Sequence, residues 1–354
     1  MTATRYSLRA IVILGFGAAL INTMPIWIAE ISQAYALSDA AAGMHASVTL
    51  LAAALSCGIA ASWRVAGLAR GSAVLVPICL VVMAAPFASN SAGLALAASA
   101  CLGAALGILT AKALYEASSH AERHKIISTA LSFGLMTALL IYLLLPMTDL
   151  KSLWILAVLS LSLVAAGGSD SVSRQTSGRD GHSVLSDFPV LQFPFFVMMG
   201  AYWTYIELFA SSLEAAGDLS LWLLGSLLMG VLGSLIAGKL GATSGRYLPN
   251  TALLCAAMSG AVSYLAPTFA VLGVSVLANG FFLYLYFPLY LAGRGTNNGR
   301  STSERKMAIY LLGFALGGAA GAGLLHIAGF IGLAIAIAMA GLMGVGRLPT
   351  PARS

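Results

Sequence analysis

The residue best suited to chemistry in this sequence is Glu207, because it lies within an apolar stretch rather than in a polar loop. Ionisable side chains inside a bilayer are costly and usually face a cavity. Intervals of four residues separate Trp203, Glu207 and Ser211, which places the three side chains on one face of a helix. A carboxylate, an indole N–H and a hydroxyl on one face predict a site that binds a small polar or cationic solute or a proton. The alternative is an interfacial glutamate near the lipid headgroups, with Trp203 as a membrane anchor.

Four weaker candidates for solute or proton binding lie in other parts of the apolar sequence. Asn22 lies deep in the first apolar stretch, where its amide serves either a ligand or a neighbouring helix. Glu30 lies at the outer end of the same stretch, and the alternative there is an acid exposed at the edge of a loop. Asn279 and Tyr286 fall on an aromatic stripe of the tenth stretch. Such a stripe either lines a cavity or packs against neighbouring helices.

A second set of residues predicts structural or gating contacts near the inner membrane surface. Lys112 and Glu116 are four residues apart near the inner end of the fourth stretch, a spacing that permits an ion pair on one helix face. Arg64 and Arg246 lie in two corresponding loops and are assigned to the same group. The histidines and the four cysteines lack the spacing of a metal site or of a disulfide framework, so we expect neither a metal ion nor a cofactor.

The elements that carry these residues are twelve apolar stretches separated by short loops. Continuously apolar runs of about 20 residues predict helices that cross a bilayer, whereas the strands of a membrane barrel alternate apolar and polar residues. Of the 18 Lys and Arg residues, all except Lys151 fall in every second gap between stretches. Basic residues remain on the cytoplasmic side, so we predict an even number of crossings with both termini inside. The predicted stretches are 10–30, 43–62, 73–88, 93–113, 126–146, 151–167, 190–210, 220–238, 248–265, 269–291, 307–325 and 328–346.

The composition indicates the same class of protein. Apolar residues make up 59% of the chain and charged residues 8%, against about 25% charged residues in a typical soluble protein. The net charge of +6 does not indicate binding to nucleic acid, because the basic residues lie at the ends of predicted helices and form no basic patch. Neither a phosphate-binding loop nor a catalytic nucleophile motif occurs, so we predict neither an ATP-driven pump nor an enzyme.

The longest polar segment, 168–188, divides the stretches into two groups of six. It is rich in Ser, Gly, Asp and Arg, a composition typical of a flexible linker. The sequence therefore predicts an N-terminal six-helix bundle over 1–167, a cytoplasmic linker over 168–188 and a C-terminal six-helix bundle over 189–354.

Corresponding positions of the two halves indicate an internal repeat. An offset of 182 residues relates Leu37 to Leu219 and Arg64 to Arg246. Parallel six-helix repeats recur in transporters, where the substrate site lies near the middle of the membrane. The repeat therefore favours a transporter over the other classes of membrane protein.

One loop motif and the overall outline resemble a known family. The segment 238–246 reads Gly-Lys-Leu-Gly-Ala-Thr-Ser-Gly-Arg. It is similar to the cytoplasmic loop pattern G-x-L-A/G-D-R-x-G-R/K of the major facilitator superfamily, although Ala242 and Thr243 replace its Asp and its first Arg. Twelve spans, a basic central linker and a six-plus-six repeat also resemble the outline of this family. The stretch from Met199 through Trp203 and Glu207 to Gly225 resembles the seventh and eighth helices of its bacterial members.

This resemblance implies an all-α membrane protein with twelve transmembrane helices in two six-helix bundles. It also implies a secondary active transporter that moves a small organic solute across the inner membrane by alternating access, with proton coupling as one option. Export is preferred to uptake on the resemblance alone, and a solute uptake permease is the first alternative. A non-transporting membrane receptor or scaffold on the same fold is the second. The expected partners are the solute, a proton or another ion and the bilayer, with the chain acting as a monomer.

Overall fold

The computed structural model of the chain is helical in nearly all of the residues that it describes, which are 2–62, 68–85, 91–148, 151–167, 192–213, 216–241, 247–293 and 302–345. These ranges contain α-helices and a single 3₁₀ turn, without β-strands. The helices are α1 (Thr2–Asn22), α2 (Met24–Tyr35), α3 (Asp39–Ser62), α4 (Leu68–Ala84), α5 (Ala92–Ser118), α6 (Arg123–Leu144), α7 (Ser152–Gly167), α8 (Phe193–Ser212), α9 (Ala216–Leu240), α10 (Tyr247–Tyr264), α11 (Phe269–Ala292) and α12 (Thr302–Val345). The predicted all-α class is confirmed.

Several of these helices are long and apolar enough to cross a membrane. Within the described residues, six helices meet this condition, namely α3, α5, α6, α9, α11 and α12. The pair α1 and α2 meets it as a seventh when the two are counted as one bent span, and α4 and α7 are shorter apolar helices. The chain is therefore a multi-pass membrane protein. Twelve crossings remain a prediction.

The first predicted stretch is not one continuous helix. A bend of 59° separates α1 from α2, and Pro25 lies in the first turn of α2. Proline lacks a backbone N–H and so cannot complete the hydrogen bonds of a continuous helix. The Trp27 indole replaces one missing bond by donating to the Leu20 carbonyl at 3.2 Å. The Thr23 hydroxyl adds a second bond, at 2.9 Å, to the Ala19 carbonyl, which also accepts the Thr23 backbone N–H.

The chain divides into two compact units. The first unit comprises Met1–Pro189 together with Ala292–Leu311, and the second unit comprises Val190–Leu291 together with Leu312–Ser354. The start of α12 thus packs with residues of the first unit, and the rest of α12 packs with residues of the second. The two bundles and the linker predicted from the sequence stay a prediction.

The helices of the first unit approach each other closely at glycine. A Cβ added at Gly103 of α5 would overlap the Thr49 backbone of α3. A Cβ added at Gly134 of α6 would lie 2.6 Å from the Ala18 Cβ of α1. Small residues at such points allow membrane helices to approach and gain van der Waals contact. The first unit therefore contains the close helix pairs α3–α5 and α1–α6.

The second unit contains the corresponding pairs. A Cβ added at Gly280 of α11 would lie 2.9 Å from the Ser226 Cβ of α9, and one added at Gly317 of α12 would lie 2.6 Å from the Gly200 Cα of α8. In the first unit, the second predicted stretch (α3) packs on the fourth (α5), and the first (α1) packs on the fifth (α6). In the second unit, the eighth stretch (α9) packs on the tenth (α11), and the seventh (α8) packs on the eleventh (the first part of α12). The pairs in the two units correspond, as an internal repeat requires.

Contacts along α8 define the direction of its neighbours in the second unit. Between α8 and α10, the contacting pairs are Met199–Gly260 and Tyr202–Ser263, so residue numbers increase together along the two helices. Between α8 and the first part of α12, they increase together in the pairs Gly200–Gly317 and Tyr205–Gly321. Parallel packing follows for α8, α10 and the first part of α12.

The chain reverses direction at Gly329, inside α12. Gly329 has a φ of 63° and a non-helical ψ of −163°, which glycine adopts without the steric penalty of a Cβ. After this residue the contacts with α10 descend, because Phe330 stacks on Tyr264 with ring centroids 5.7 Å apart and Gly341 lies against Ala257. The last part of α12 is therefore antiparallel to α10. The predicted separation of the eleventh and twelfth stretches near residue 327 corresponds to this reversal.

Candidate functional site

Helix α8 has one buried face and one face that is exposed in the C-terminal half of the helix. The buried face is apolar and aromatic, with intervals of three and four residues along Phe195, Met199, Tyr202, Ile206 and Phe209. The exposed part carries Thr204, Glu207, Leu208, Ser211 and Ser212. Four of these five side chains are polar, although the lipid-facing surface of a membrane helix is usually apolar. We call Thr204, Glu207 and Ser211 the polar strip of α8.

The hydroxyl groups of the polar strip present acceptors rather than donors. The Thr204 hydroxyl donates its proton to the Gly200 carbonyl at 2.8 Å. The Ser211 hydroxyl donates its proton to the Glu207 carbonyl at 2.9 Å. A hydroxyl has one proton and two lone pairs, so both oxygens retain only acceptor capacity toward other groups. An ionised carboxylate is likewise an acceptor.

The sequence prediction also grouped Glu207 with Ser211 on one helix face, and it did not include Thr204. The intervals from Thr204 to Glu207 and from Glu207 to Ser211 are three and four residues, so the same spacing rule would have identified it. Trp203 lies one turn before Glu207 and is half-buried. Its ring meets the Tyr202 ring edge-on, with centroids 5.0 Å apart, and this contact holds the indole beside the polar strip.

Tyr286 does not lie near Glu207. Its ring packs against Phe195 and Phe196 in the first turn of α8, with centroids 5.7 Å and 6.3 Å away, and stacks on Tyr290 at 5.5 Å. Phe195 precedes Glu207 by twelve residues, which corresponds to about 18 Å along the helix axis. Tyr286 is buried and its hydroxyl has no hydrogen-bond partner among the described residues. The aromatic cluster is thus separate from the polar strip.

Asn279 is fully buried among three helices of the second unit. Its amide donates to the Ala256 carbonyl of α10 at 2.8 Å and approaches the Met199 sulfur of α8 at 3.8 Å. Side-chain amides often join helices in this way within membranes. This position favours the helix-contact alternative for Asn279 over the cavity-lining one.

Asn22 is half-buried at the break between α1 and α2. Its amide donates to the Ala18 carbonyl at 2.8 Å, and the Tyr142 hydroxyl of α6 donates to the Asn22 backbone carbonyl at 3.2 Å. The Tyr142 bond satisfies the Asn22 carbonyl, which the break releases because the Ile26 N–H donates to the Thr23 carbonyl instead. Asn22 therefore stabilises the bend of the first span.

Glu30 contacts the start of another helix. Its carboxylate accepts the backbone N–H of Ser152 at 2.5 Å and that of Leu153 at 3.2 Å. The first N–H groups of a helix lack partners within that helix, and a negative charge there also interacts favourably with the helix dipole. Glu30 of α2 thus caps α7. The cap occupies both oxygens of a carboxylate that the sequence had suggested for solute binding.

The structure describes only two of the four residues predicted to make structural or gating contacts, namely Lys112 and Glu116. Glu116 is 4% exposed and Lys112 is half-buried, and both Lys112 and Arg9 act on the Glu116 carboxylate electrostatically. Among the described ion pairs, however, none joins Lys112 to Glu116. Arg64 and Arg246 lie outside the described residues.

Metal binding finds no support in the part of the chain that the structure describes. No group of three or more His, Cys, Asp or Glu side chains there could hold a metal ion. The polar strip instead offers a single carboxylate with two hydroxyl oxygens, which suits an organic ligand better than a metal ion, because an ion needs several convergent ligands.

Comparison with known proteins identifies the fold. No protein-family model and no curated protein matches the chain. The crystal structure of the human organic anion transporter MFSD10 (TETRAN) is similar over 97% of each chain, with a TM-score of 0.73 and 13% identity. The major facilitator superfamily transporter FucP in the outward conformation is similar over 96% of this chain and 98% of its own, with a TM-score of 0.69 and 17% identity. A second structure, of the E. coli fucose:proton symporter FucP, covers 98% of both chains with a TM-score of 0.71 and 15% identity.

These similarities establish a fold. The chain has the fold of the major facilitator transporters to which it is similar, as the sequence resemblance implied. Its similar structures are transporters by name, and none is an enzyme.

Proposed function

We propose that the chain is a secondary active transporter that moves a small organic solute across the inner membrane by alternating access. Its fold is that of solute transporters. The observation that carries the proposal is the exposed polar strip of α8, with Glu207 at its centre. A fold that only anchored partners in the membrane would not require a carboxylate at this position.

The cost of placing Glu207 against lipid supports a water-facing strip. Insertion scales assign about 2.5–3.5 kcal/mol to an acidic side chain at the centre of a membrane helix. Glu207 lies in the C-terminal half of α8, so its cost against lipid is smaller than this range but of the same sign. Thr204 and Ser211 lie on the same face, so a lipid-facing orientation would expose all three polar groups to hydrocarbon. Polar groups that converge in a water-accessible part of a membrane protein typically contact a substrate or an ion.

The proposal also includes a coupling ion and a direction of solute transport. Glu207 is an ionisable group on the exposed face of α8, and it is our candidate for the group that binds either the solute or the coupled proton. One similar structure is a fucose:proton symporter, which makes protons the first ion to test. Export is our proposed direction, with both termini in the cytoplasm as the distribution of Lys and Arg predicts.

Vesicle transport tests the proposal directly. Membrane vesicles that contain the full chain would be energised with a pH gradient and supplied with a panel of radiolabelled sugars, organic acids and amines. We expect accumulation of at least one solute class, abolished by a protonophore. Accumulation in everted vesicles supports export, and accumulation in right-side-out vesicles supports uptake.

Matched variants separate transport from folding. Glu207→Gln should remove the gradient-driven flux, because it removes the ionisable group but keeps the size of the side chain. Glu122→Gln is the control, since Glu122 is an exposed acid that pairs with Lys125 at the start of α6. Binding of a solute without flux in any vesicle orientation would contradict transport and favour a receptor.

A further inference from the structure

The hydrogen-bonding capacity of the polar strip restricts the solute that it can bind. Thr204 and Ser211 use their hydroxyl protons within α8, at 2.8 Å and 2.9 Å, and Glu207 presents a carboxylate. All three groups of the polar strip are therefore acceptors, and the Trp203 indole N–H is a donor beside them. A ligand that matches the strip itself must supply hydrogen-bond donors.

The charge of the strip is not neutralised by the part of the protein that the structure describes. No described Lys, Arg or His side chain forms an ion pair with Glu207. Lys239, a described basic residue of the second unit, lies in the last turn of α9. Glu207 is exposed, so a cationic ligand can approach its carboxylate and displace water from it, and the attraction between the two charges strengthens as water is displaced. The missing positive charge is therefore a feature that a ligand can supply.

We propose that the solute is an organic cation with several N–H donors, such as a primary amine or a guanidinium compound. This inference rests on the proposed transport function, and it names the chemical class of solute that the same site binds. Glu207 binds the cationic group, and Thr204 and Ser211 accept its remaining N–H groups. The strip extends over eight residues from Thr204 to Ser211, which corresponds to about 10 Å along the helix axis and suits a short chain with an amine at one or both ends.

Trp203 adds a contact that also prefers cations. Its indole is half-buried and lies one helical turn before Glu207. The face of an indole ring attracts ammonium and guanidinium groups through its quadrupole. Anionic solutes would meet a carboxylate and two acceptor oxygens, so the strip should exclude them. Neutral polyols supply donors but not the charge that Glu207 requires.

Four-carbon probes of matched size test the inference on the purified full chain in detergent. The probes are 1,4-diaminobutane, 1,4-butanediol and succinate, with tetramethylammonium as a cation that lacks N–H donors. Binding would be measured by thermal shift and by calorimetric titration, since a ligand of the folded state raises the melting temperature. We expect binding of 1,4-diaminobutane at least tenfold tighter than binding of any other probe.

Two variants connect this binding to the polar strip. Glu207→Gln should weaken binding of 1,4-diaminobutane about tenfold to a hundredfold, as expected for the loss of a charge-assisted hydrogen bond. The double variant Thr204→Val with Ser211→Ala should weaken it less than tenfold. Glu122→Gln should bind as the unmodified chain does. Melting temperatures without ligand would verify that every variant is folded.

Any one of four binding results would overturn the inference. They are equal binding of the diol and the diamine, equal binding of tetramethylammonium and the diamine, unchanged binding of the diamine by Glu207→Gln, and absence of diamine binding. Flux of a neutral or anionic solute that persists in Glu207→Gln would leave the transporter proposal intact and remove this one. Diamine binding that depends on Glu207, with no flux of any solute, would support the cation site and contradict the transporter proposal.

Discussion

The cap that Glu30 forms on α7 gives a quantitative prediction. Glu30→Ala removes the acceptor of two backbone N–H groups, those of Ser152 and Leu153. Ser152 is fully buried, so its N–H cannot turn to water. Loss of a helix cap costs about 0.5–2 kcal/mol, and loss of a hydrogen bond to a charged group costs about 1.5–3 kcal/mol. Because both ranges describe the same contact, they are not added, and we expect Glu30→Ala to reduce the local stability of the start of α7 by about 2 kcal/mol.

Amide hydrogen exchange is the assay that isolates this contact. A loss of about 2 kcal/mol of local stability corresponds to about thirtyfold faster exchange at the Ser152 and Leu153 amides, if exchange follows local opening. Glu30→Gln keeps one carbonyl oxygen, so its acceleration should be smaller, about fivefold. Exchange in α1, which lies outside the cap, should change less than in α7.

The control for this prediction is Glu122→Ala. Glu122 is also an acid beside the first turn of a helix, but its carboxylate pairs with exposed Lys125 at 2.6 Å, and such surface pairs contribute about 0–1 kcal/mol. Exchange at Ser152 and Leu153 that stays within twofold of the unmodified chain in Glu30→Ala would refute the cap. Equal acceleration of α7 by both variants would also refute it, because the effect would then not depend on Glu30.

Three further predictions concern packing and topology. Gly317→Ala should destabilise the detergent-solubilised chain by about 1–3 kcal/mol in thermal unfolding, because the added Cβ would lie 2.6 Å from the backbone of α8. Gly323→Ala is the control in the same helix, because a Cβ there meets open space, and it should be neutral or stabilising. A larger loss of stability in Gly323→Ala than in Gly317→Ala would contradict the packing. Asn279→Val should cost about 0.6–1.7 kcal/mol in the same assay, the range for hydrogen bonds between membrane helices, and an unchanged melting temperature would contradict its helix-joining role. Reporter tags at Ser91 and Ser301 should emerge on opposite sides of the membrane, with Ser301 inside, and emergence on one side would overturn the predicted topology.

Apolar runs and charge placement were sufficient to predict the helices, because lipid requires long stretches with internally satisfied backbone. The same reasoning could not predict the bend near Thr23. Pro25 is visible in the sequence, but proline is tolerated in the first turn of a helix as well as at a kink. Only the structure shows that α2 begins there and that Trp27 satisfies a released carbonyl.

The candidate site was predictable in part, and the difference follows from sequence distance. The face that joins Glu207 to Ser211 depends on local helical spacing, which the sequence contains. The role of Glu30 depends on Ser152, which lies 122 residues later, and no local pattern identifies such a partner. Tyr286 was a candidate because it lies on an aromatic stripe of the tenth stretch. Which turn of α8 faces Tyr286 depends on how α8 and α11 pack, and the sequence alone does not determine this.

The reversal of α12 at Gly329 has a consequence for biogenesis. A single residue connects the two parts of this helix, so there is no loop that could leave the insertion machinery separately. We expect the two parts to enter the bilayer together, as a helical hairpin. A ribosome that stalled before Phe330 would leave Ala257 and Tyr264 of α10 without the neighbours that cover them. Such a nascent chain would present an unfinished bundle to quality-control proteases.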